Sequence, residues 1–171
     1  MANFSIGQEV TVTPLQLAVM VSAVANGGTV HYPRLVDRLE SGDPLSDEVA
    51  HAVRPGQVRG LLGARPEHLA RIRAAMRDDV LDPEGTGTTA RVADFTVCGK
   101  TGTAEIKGNG IKDKVTWFSS FAPFESPRYA VVVMVESGAS GGRTCGPVAR
   151  RIYEHLRTRD AGNGRPLALT P

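Results

Sequence analysis

Most of the chemically useful side chains in this sequence fall in one short stretch. Gly99-Lys100-Thr101-Gly102-Thr103 sets an ammonium, two hydroxyls and two positions without side chains close together. Two chemistries use such a set. A phosphate loop places Gly-Lys-Thr at a helix N-terminus, where backbone N–H groups and the lysine hold phosphate oxygens. On a strand, the lysine instead sets a positive field along a groove, and the threonine hydroxyls can hold a carboxylate. The phosphate loop needs a glycine five residues before its Gly-Lys pair, and Asp94 stands there. Phe95-Thr96-Val97 leads in and Thr103-Ala104-Glu105-Ile106 leads out, both strand-like, so Lys100 is expected on a strand. Gly102 would let a substrate lie flat against that strand, and a nearby backbone N–H could stabilise an oxyanion. Gly85-Thr86-Gly87 is a weaker phosphate-loop candidate and reads as a plain loop.

Other chemistry finds little support. The histidines His31, His51, His68 and His155 are scattered without a CxxC or HxxxH context, so no metal and no cofactor is expected. Cys98 and Cys145 read as small buried apolar residues, with a disulfide between them as the alternative. A catalytic cysteine has no histidine nearby in sequence. The net charge is +2 with no Lys/Arg stripe, which argues against nucleic acid as a partner. The longest clean apolar run, Ala130 to Val135, is far short of a membrane span of about 20 residues, so no membrane contact is expected from this segment. Met1-Ala-Asn-Phe-Ser does not resemble a targeting signal.

The elements that must position Lys100 follow from 171 residues of ordinary globular composition, 41% apolar and 22% charged, rich in turn-forming Gly and Pro. Thr13-Pro14 predicts the start of a helix to Val24, apolar nearly all round and stopped by Asn26-Gly27-Gly28. A strand is expected near 34–40 and another around Val49 to Val53, in a loop-rich stretch from Ser41 to Gly63. Pro66 opens a helix to about Leu81, with Leu69, Ile72, Met76 and Val80 as its apolar stripe and Arg71, Arg73 and Arg77 on a solvated face. Phe95 to Ile106, Val115 to Phe124 and Arg128 to Glu136 predict an antiparallel meander, with turn signals at Asn109-Gly110 and Ser126-Pro127. Lys100 and Thr101 are expected on its solvent-facing edge strand, lining a groove. Pro147 begins a last helix with Ala149, Ile152, Tyr153 and Leu156 on one side, and this Ile152 and Leu156 side is expected to pack on the sheet. One domain, residues 1–159, is expected, with a disordered tail over 160–171. The Ala130–Val135 run is apolar at consecutive positions, as in a strand buried on both faces in mid-sheet. Its second neighbour would be one of the weak strands before residue 60 or a part of the protein outside this sequence.

These blocks resemble the C-terminal part of the transpeptidase domain of class B penicillin-binding proteins. Lys100-Thr101-Gly102 is similar to the K-T-G element of that family of serine acyl-transferases. The resemblance runs from Ser5-Ile6-Gly7-Gln8 through Val12-Thr13-Pro14-Leu15-Gln16-Leu17-Ala18, Ala25-Asn26-Gly27-Gly28, Met76-Arg77 and Gly85-Thr86-Gly87 to Gly99–Glu105. It continues in Trp117-Phe118, Phe121-Ala122-Pro123, Pro127-Arg128-Tyr129 and Gly146-Pro147. It implies an α+β fold, the C-terminal portion of the one shared by penicillin-binding proteins and serine β-lactamases, with an antiparallel sheet packed by helices. It implies acyl transfer on peptidoglycan stem peptides ending in D-Ala-D-Ala, acylation by β-lactams, and the periplasmic face of the inner membrane. Residue by residue, Lys100 matches the motif lysine, and Thr101, Gly102 and Thr103 match substrate-binding positions. The backbone N–H of Thr103 matches one oxyanion donor. Trp117 and Phe118 match the adjacent strand.

The family's nucleophile is the serine of S-x-x-K. The lysines here are preceded at that spacing by Val97, Ala104, Asn109 and Ile111, and no S-x-N or Y-x-N occurs. The chain is therefore expected to be a C-terminal fragment, inactive by itself, whose partner is the missing N-terminal part of the same domain. A catalytically dead binding module is the alternative. A serine β-lactamase relative shares the K-T-G element, but the blocks at Ser5–Gly28 and Trp117–Pro123 speak against it.

Overall fold

Helix α1, Pro14–Ala25, begins as the Thr13-Pro14 pair dictates. Thr13 Oγ1 accepts from the Gln16 N–H at 3.2 Å, and the Gln16 side chain accepts from the Thr13 N–H at 2.8 Å. Asn26 Oδ1 accepts from the N–H groups of Gly28 and Thr29, and the chain turns through positive φ at Gly27 and Gly28, where a side chain would be strained. Val21 and Ala25 are buried against the sheet, and Ala23, about 200° round the helix from Val21, is buried on another side. Leu15 and Met20 are 52% and 47% exposed, so the helix covers one sheet face and is not enclosed on all sides.

The computed structural model describes residues 10–40, 42, 45, 49–52, 54–108 and 111–162. After α1 come four short strands, β1 Thr29–His31, β2 Arg38–Glu40, β3 Val49–Ala52 and β4 Val58–Leu61. They pair among themselves, β1 with β4 and β2 with β3, both antiparallel. β4 has no expectation in the sequence, because Val-Arg-Gly-Leu is short and mostly exposed. Helix α2, Pro66–Leu81, has the expected bounds. Leu69, Met76 and Val80 are buried, whereas Ile72 is 45% exposed.

The meander has the expected order. β5 (Cys98–Gly108), β6 (Ile111–Ala122) and β7 (Tyr129–Glu136) form one antiparallel sheet in sequence order. The Asn109-Gly110 turn lies outside the described residues. One face carries Phe118, Ala122 and Val133 into a cluster with Val80, Phe95, Val97, Cys145, Ala149 and Tyr153. The other carries Cys98 and Phe121 against Val21, Ala25 and Met76. The consecutive apolar residues of β7 are thus explained by cover on both faces, by α1 and by the last helix, α3 (Gly146–Gly162). Among the described residues β7 hydrogen-bonds only to β6. The weak early strands do not supply its second neighbour, since they pair with one another.

Three expectations need correction. Of the expected α3 stripe, Ala149 and Tyr153 turn into the sheet with Leu156 packed beside them, and only Ile152 departs, 38% exposed. The helix also runs to Gly162, beyond the expected start of a tail at Asp160. Asp160 is 1% exposed and holds the helix to β7: Tyr129 Oη donates to its Oδ1 at 2.6 Å, and Arg128 pairs with its Oδ2 at 3.0 Å. Residues 163–171 lie outside the described residues. Finally, Arg73 and Arg77 do not form a solvated face. Arg73 lies over the rings of Phe121 and Phe124 and donates to the Phe124 carbonyl at 2.7 Å, and Arg77 lies over Phe124.

Candidate active site

Strand geometry places Lys100, not a helix N-terminus. Lys100 pairs with Ser119, Thr101 with Phe118, Gly102 with Trp117 and Thr103 with Thr116, on the sheet edge opposite β7. The phosphate-loop alternative fails on this geometry. Lys100 is exposed, and its Nζ donates to Thr101 O at 3.1 Å and Thr101 Oγ1 at 3.4 Å. Among the described residues it makes no ion pair. An unneutralised ammonium beside hydroxyls is a ready site for an anion.

The groove beside Lys100 is deep. A cavity of about 530 Å³ is lined by Lys100, Thr101, Gly102, Trp117 and Ser119 on the strand side. Its opposite walls are Met20, Val21 and Val24 of α1, and Ile72, Ala75 and Met76 of α2. The half-exposed apolar residues of the two helices, Met20 and Ile72, therefore face a concavity and not open surface. Gly102 keeps room for Trp117: a Cβ there would sit 3.3 Å from the Trp117 Cβ.

Two further segments lie against Thr101 and Thr103, and only the second goes unremarked in the sequence. The loop after α2 is held by Asp79, whose Oδ1 accepts from the Thr86 N–H at 3.1 Å and the Thr86 hydroxyl at 2.8 Å. Thr86 Oγ1 in turn lies 2.6 Å from Thr101 Oγ1. Gly85-Thr86-Gly87 is therefore part of the site and not a plain loop. The second segment is the turn Gly141–Cys145 before α3. Gly141 N–H donates to Thr103 Oγ1 at 3.3 Å, and Thr89 Oγ1 donates to Gly142 O at 2.6 Å. Both glycines are needed for this approach, because a Cβ would overlap Trp117 O at Gly141 and Thr86 O at Gly142. The Gly141-Gly142 pair is the one sequence signal that could have located this segment.

The cysteines do not serve the site. Cys98 and Cys145 are free, fully buried and in different clusters on the two sheet faces, which excludes the disulfide alternative. Burial above all pushes the Cys98 thiol up to about 12, so it holds its proton at neutral pH and is no nucleophile. Cys145 Sγ donates to Thr116 O at 3.3 Å. The described residues contain no cluster of His, Cys, Asp or Glu placed to hold a metal, and none of their helices is long and apolar enough to cross a membrane.

Comparison with known proteins agrees with this architecture. Residues 1–154 match the family described as the penicillin binding protein transpeptidase domain. The penicillin-binding protein PbpB of Mycobacterium tuberculosis is 31% identical over 172 residues, covering 93% of this chain and 25% of its own. The peptidoglycan D,D-transpeptidase MrdA of Haemophilus influenzae is 28% identical over 161 residues, covering 85% of this chain and 24% of its own. The chain thus spans about a quarter of the length of these curated relatives. Among solved structures, the D,D-transpeptidase domain of a peptidoglycan glycosyltransferase from Eggerthella lenta superposes with a TM-score of 0.71 at 29% identity, over 86% of this chain and 33% of that one. Family match, relatives and superposition concur, and the chain belongs to the penicillin-binding protein transpeptidase domain family.

Proposed function

We propose that this chain supplies the cationic, carboxylate-binding side of the active site of a peptidoglycan D,D-transpeptidase. The whole enzyme cross-links stem peptides ending in D-Ala-D-Ala through an acyl-serine intermediate, works at the periplasmic face of the bacterial inner membrane, and is acylated by β-lactams. The observation that carries this reading is an exposed Lys100 that makes no ion pair among the described residues, with the Thr101 hydroxyl beside it and a cavity of about 530 Å³ between their strand and the two helices.

In this reading Lys100 sets the positive field beside the nucleophile and draws the terminal carboxylate of the donor peptide. The serine Oγ attacks the penultimate D-Ala carbonyl, and the oxyanion forms against two backbone N–H groups, of Thr103 and of the serine itself. The C–N bond breaks, D-Ala leaves with a proton, and an amine of a second stem peptide then attacks the acyl ester. The serine and its base come from an S-x-x-K segment outside this sequence, the N-terminal part of the same domain. The apolar walls from α1 and α2 suit that segment, since exposed Met20 and Ile72 gain from being covered.

The test is incubation with a fluorescent penicillin, followed by a denaturing gel and intact mass. The full-length protein takes up one penicilloyl group on its S-x-x-K serine, and the 171-residue chain takes up none. A stable mass increase on Ser5, Ser119, Ser120 or Ser137 of the chain alone would contradict the reading. An unlabelled full-length protein supports the second reading, a binding module without catalysis, which the lack of a serine three residues before any lysine in this sequence favours.

A further inference from the structure

We propose that Arg143 is a specificity-determining residue, a second cation beside Lys100 that favours substrates and β-lactams carrying a further carboxylate in addition to the terminal one. This rests on the transpeptidase reading and deepens it, since Lys100 in that reading serves the terminal carboxylate alone.

Arg143 stands on the turn Gly141–Cys145, which is pinned to β5. Gly141 N–H donates to Thr103 Oγ1 at 3.3 Å, and Gly142 comes so close to Thr101 that a Cβ on it would lie 3.7 Å from Thr101 Cγ2. Lys100 Nζ meets the same threonine, 3.4 Å from its Oγ1. Thr101 is thus touched by Lys100 and by the residue before Arg143, and the two cations flank one side chain. The turn is well held. Ser140 Oγ accepts the Arg143 N–H at 3.3 Å, Thr144 Oγ1 accepts the Ala139 N–H at 3.0 Å, and Thr89 Oγ1 donates to Gly142 O at 2.6 Å. The backbone of Arg143 is therefore fixed, while its side chain is exposed.

The fold itself gives this charge no use. Among the described residues the Arg143 guanidinium makes no ion pair and no ring contact. It also stands just before the first turn of α3, which holds no acidic residue, and a cation at that end of a helix opposes the helix dipole. Lys100 likewise makes no ion pair among the described residues. The Asp79 carboxylate meets this group of side chains through Thr86, whose N–H and hydroxyl its Oδ1 accepts. Two unpaired cations about one threonine make a region of positive potential. A ligand with one carboxylate neutralises one of them, and a second carboxylate finds the other already positioned. A guanidinium suits that group, because its fork donates two parallel N–H bonds to one carboxylate.

The experiment measures, in the full-length protein, the acylation rate constants with benzylpenicillin and with carbenicillin, which differ by one carboxylate on the penicillin side chain. The ratio of carbenicillin to benzylpenicillin reads recognition of the added anion, and a general loss of fold or reactivity cancels from it. Arg143→Gln is expected to lower the ratio about fivefold, the upper end for an exposed ion pair. Arg143→Lys lowers it less, because the charge remains and only the fork is lost. Arg143→Ala is the second variant should Arg143→Gln fail to fold, with the same expectation as Arg143→Gln. Arg150 is an exposed arginine farther along α3, paired with Glu154 at 2.8 Å, and Arg150→Gln leaves the ratio unchanged. A native ratio in Arg143→Gln, or an equal fall in Arg150→Gln, would overturn the inference alone. Failure of the native protein to be acylated by either penicillin would overturn the transpeptidase reading, and this inference with it.

Discussion

The side chains around β5 divide into those that keep a charge or proton available and those that bury one. Cys98 is the clearest of the second kind. Burial, with a smaller push from Glu125, lifts its pKa from 9.0 to about 12. The folded chain therefore holds a proton that the unfolded chain gives up, and the stability this contributes is full below pH 9 and falls as pH rises toward 12. Iodoacetamide should accordingly leave Cys98 unmodified at pH 8 to 9 in the native full-length protein and alkylate it at once in denaturant. Rapid native alkylation would contradict the buried assignment. At this scale the strand placement of Lys100, Thr101 and Thr103 was legible, because strand-like runs lead in and out of the motif on both sides. Asp79 was not, and Thr86 stood out only inside the Gly85-Thr86-Gly87 block, because its meeting with Thr101 spans 15 residues of chain and a turn that only the end of α2 brings back. Nor does a sequence show that the Arg73 guanidinium will stack on Phe124 instead of reaching solvent.

Elements hold the site through a few specific ties. α3 is fastened to β7 by buried Asp160, which accepts from Tyr129 and pairs with Arg128, while Arg159 donates to the same Tyr129 oxygen at 3.1 Å. Asp160→Ala strands an arginine and a tyrosine hydroxyl at a closed surface and should cost about 3 kcal/mol, read as a lowered midpoint of urea unfolding. A loss below about 0.5 kcal/mol would show that the tie is idle. Gly142→Ala belongs to the same scale. Its Cβ overlaps Thr86 O, so the turn before α3 must move off β5 and carry the Gly141 donor away from Thr103. Penicillin acylation of that variant should fall about tenfold or more with little change in secondary structure by circular dichroism, and a native rate would show that the turn is no part of the site. The bounds of α2 were legible because Pro66 and a regular apolar stripe leave little choice. The facing of α3 was legible in Ala149, Tyr153 and Leu156; Ile152 was misplaced, because it sits about 100° from Tyr153 at the margin of the stripe and the larger residue took the core. β4 was missed because four mostly exposed residues carry no alternating pattern.

The whole molecule presents a sheet edge and a concavity that are not self-sufficient. β7 hydrogen-bonds only to β6 among the described residues, and apolar α1 and α2 side chains line the cavity beside Lys100. An open apolar strand edge is a template for association, so the 171-residue chain by itself should form soluble aggregates in size-exclusion chromatography. A monodisperse, cooperatively unfolding monomer would contradict that expectation. The central claim, that this strand is the electrostatic side of an acyl-transfer site, is tested most directly by stopped-flow acylation of the full-length protein with a fluorescent penicillin. Lys100→Ala should slow acylation about 10²-fold or more, as for loss of a group aimed at developing charge, while the thermal midpoint stays close to the native value because Lys100 is exposed and makes no ion pair among the described residues. An acylation rate equal to that of the native protein would remove Lys100 from the site and contradict the account.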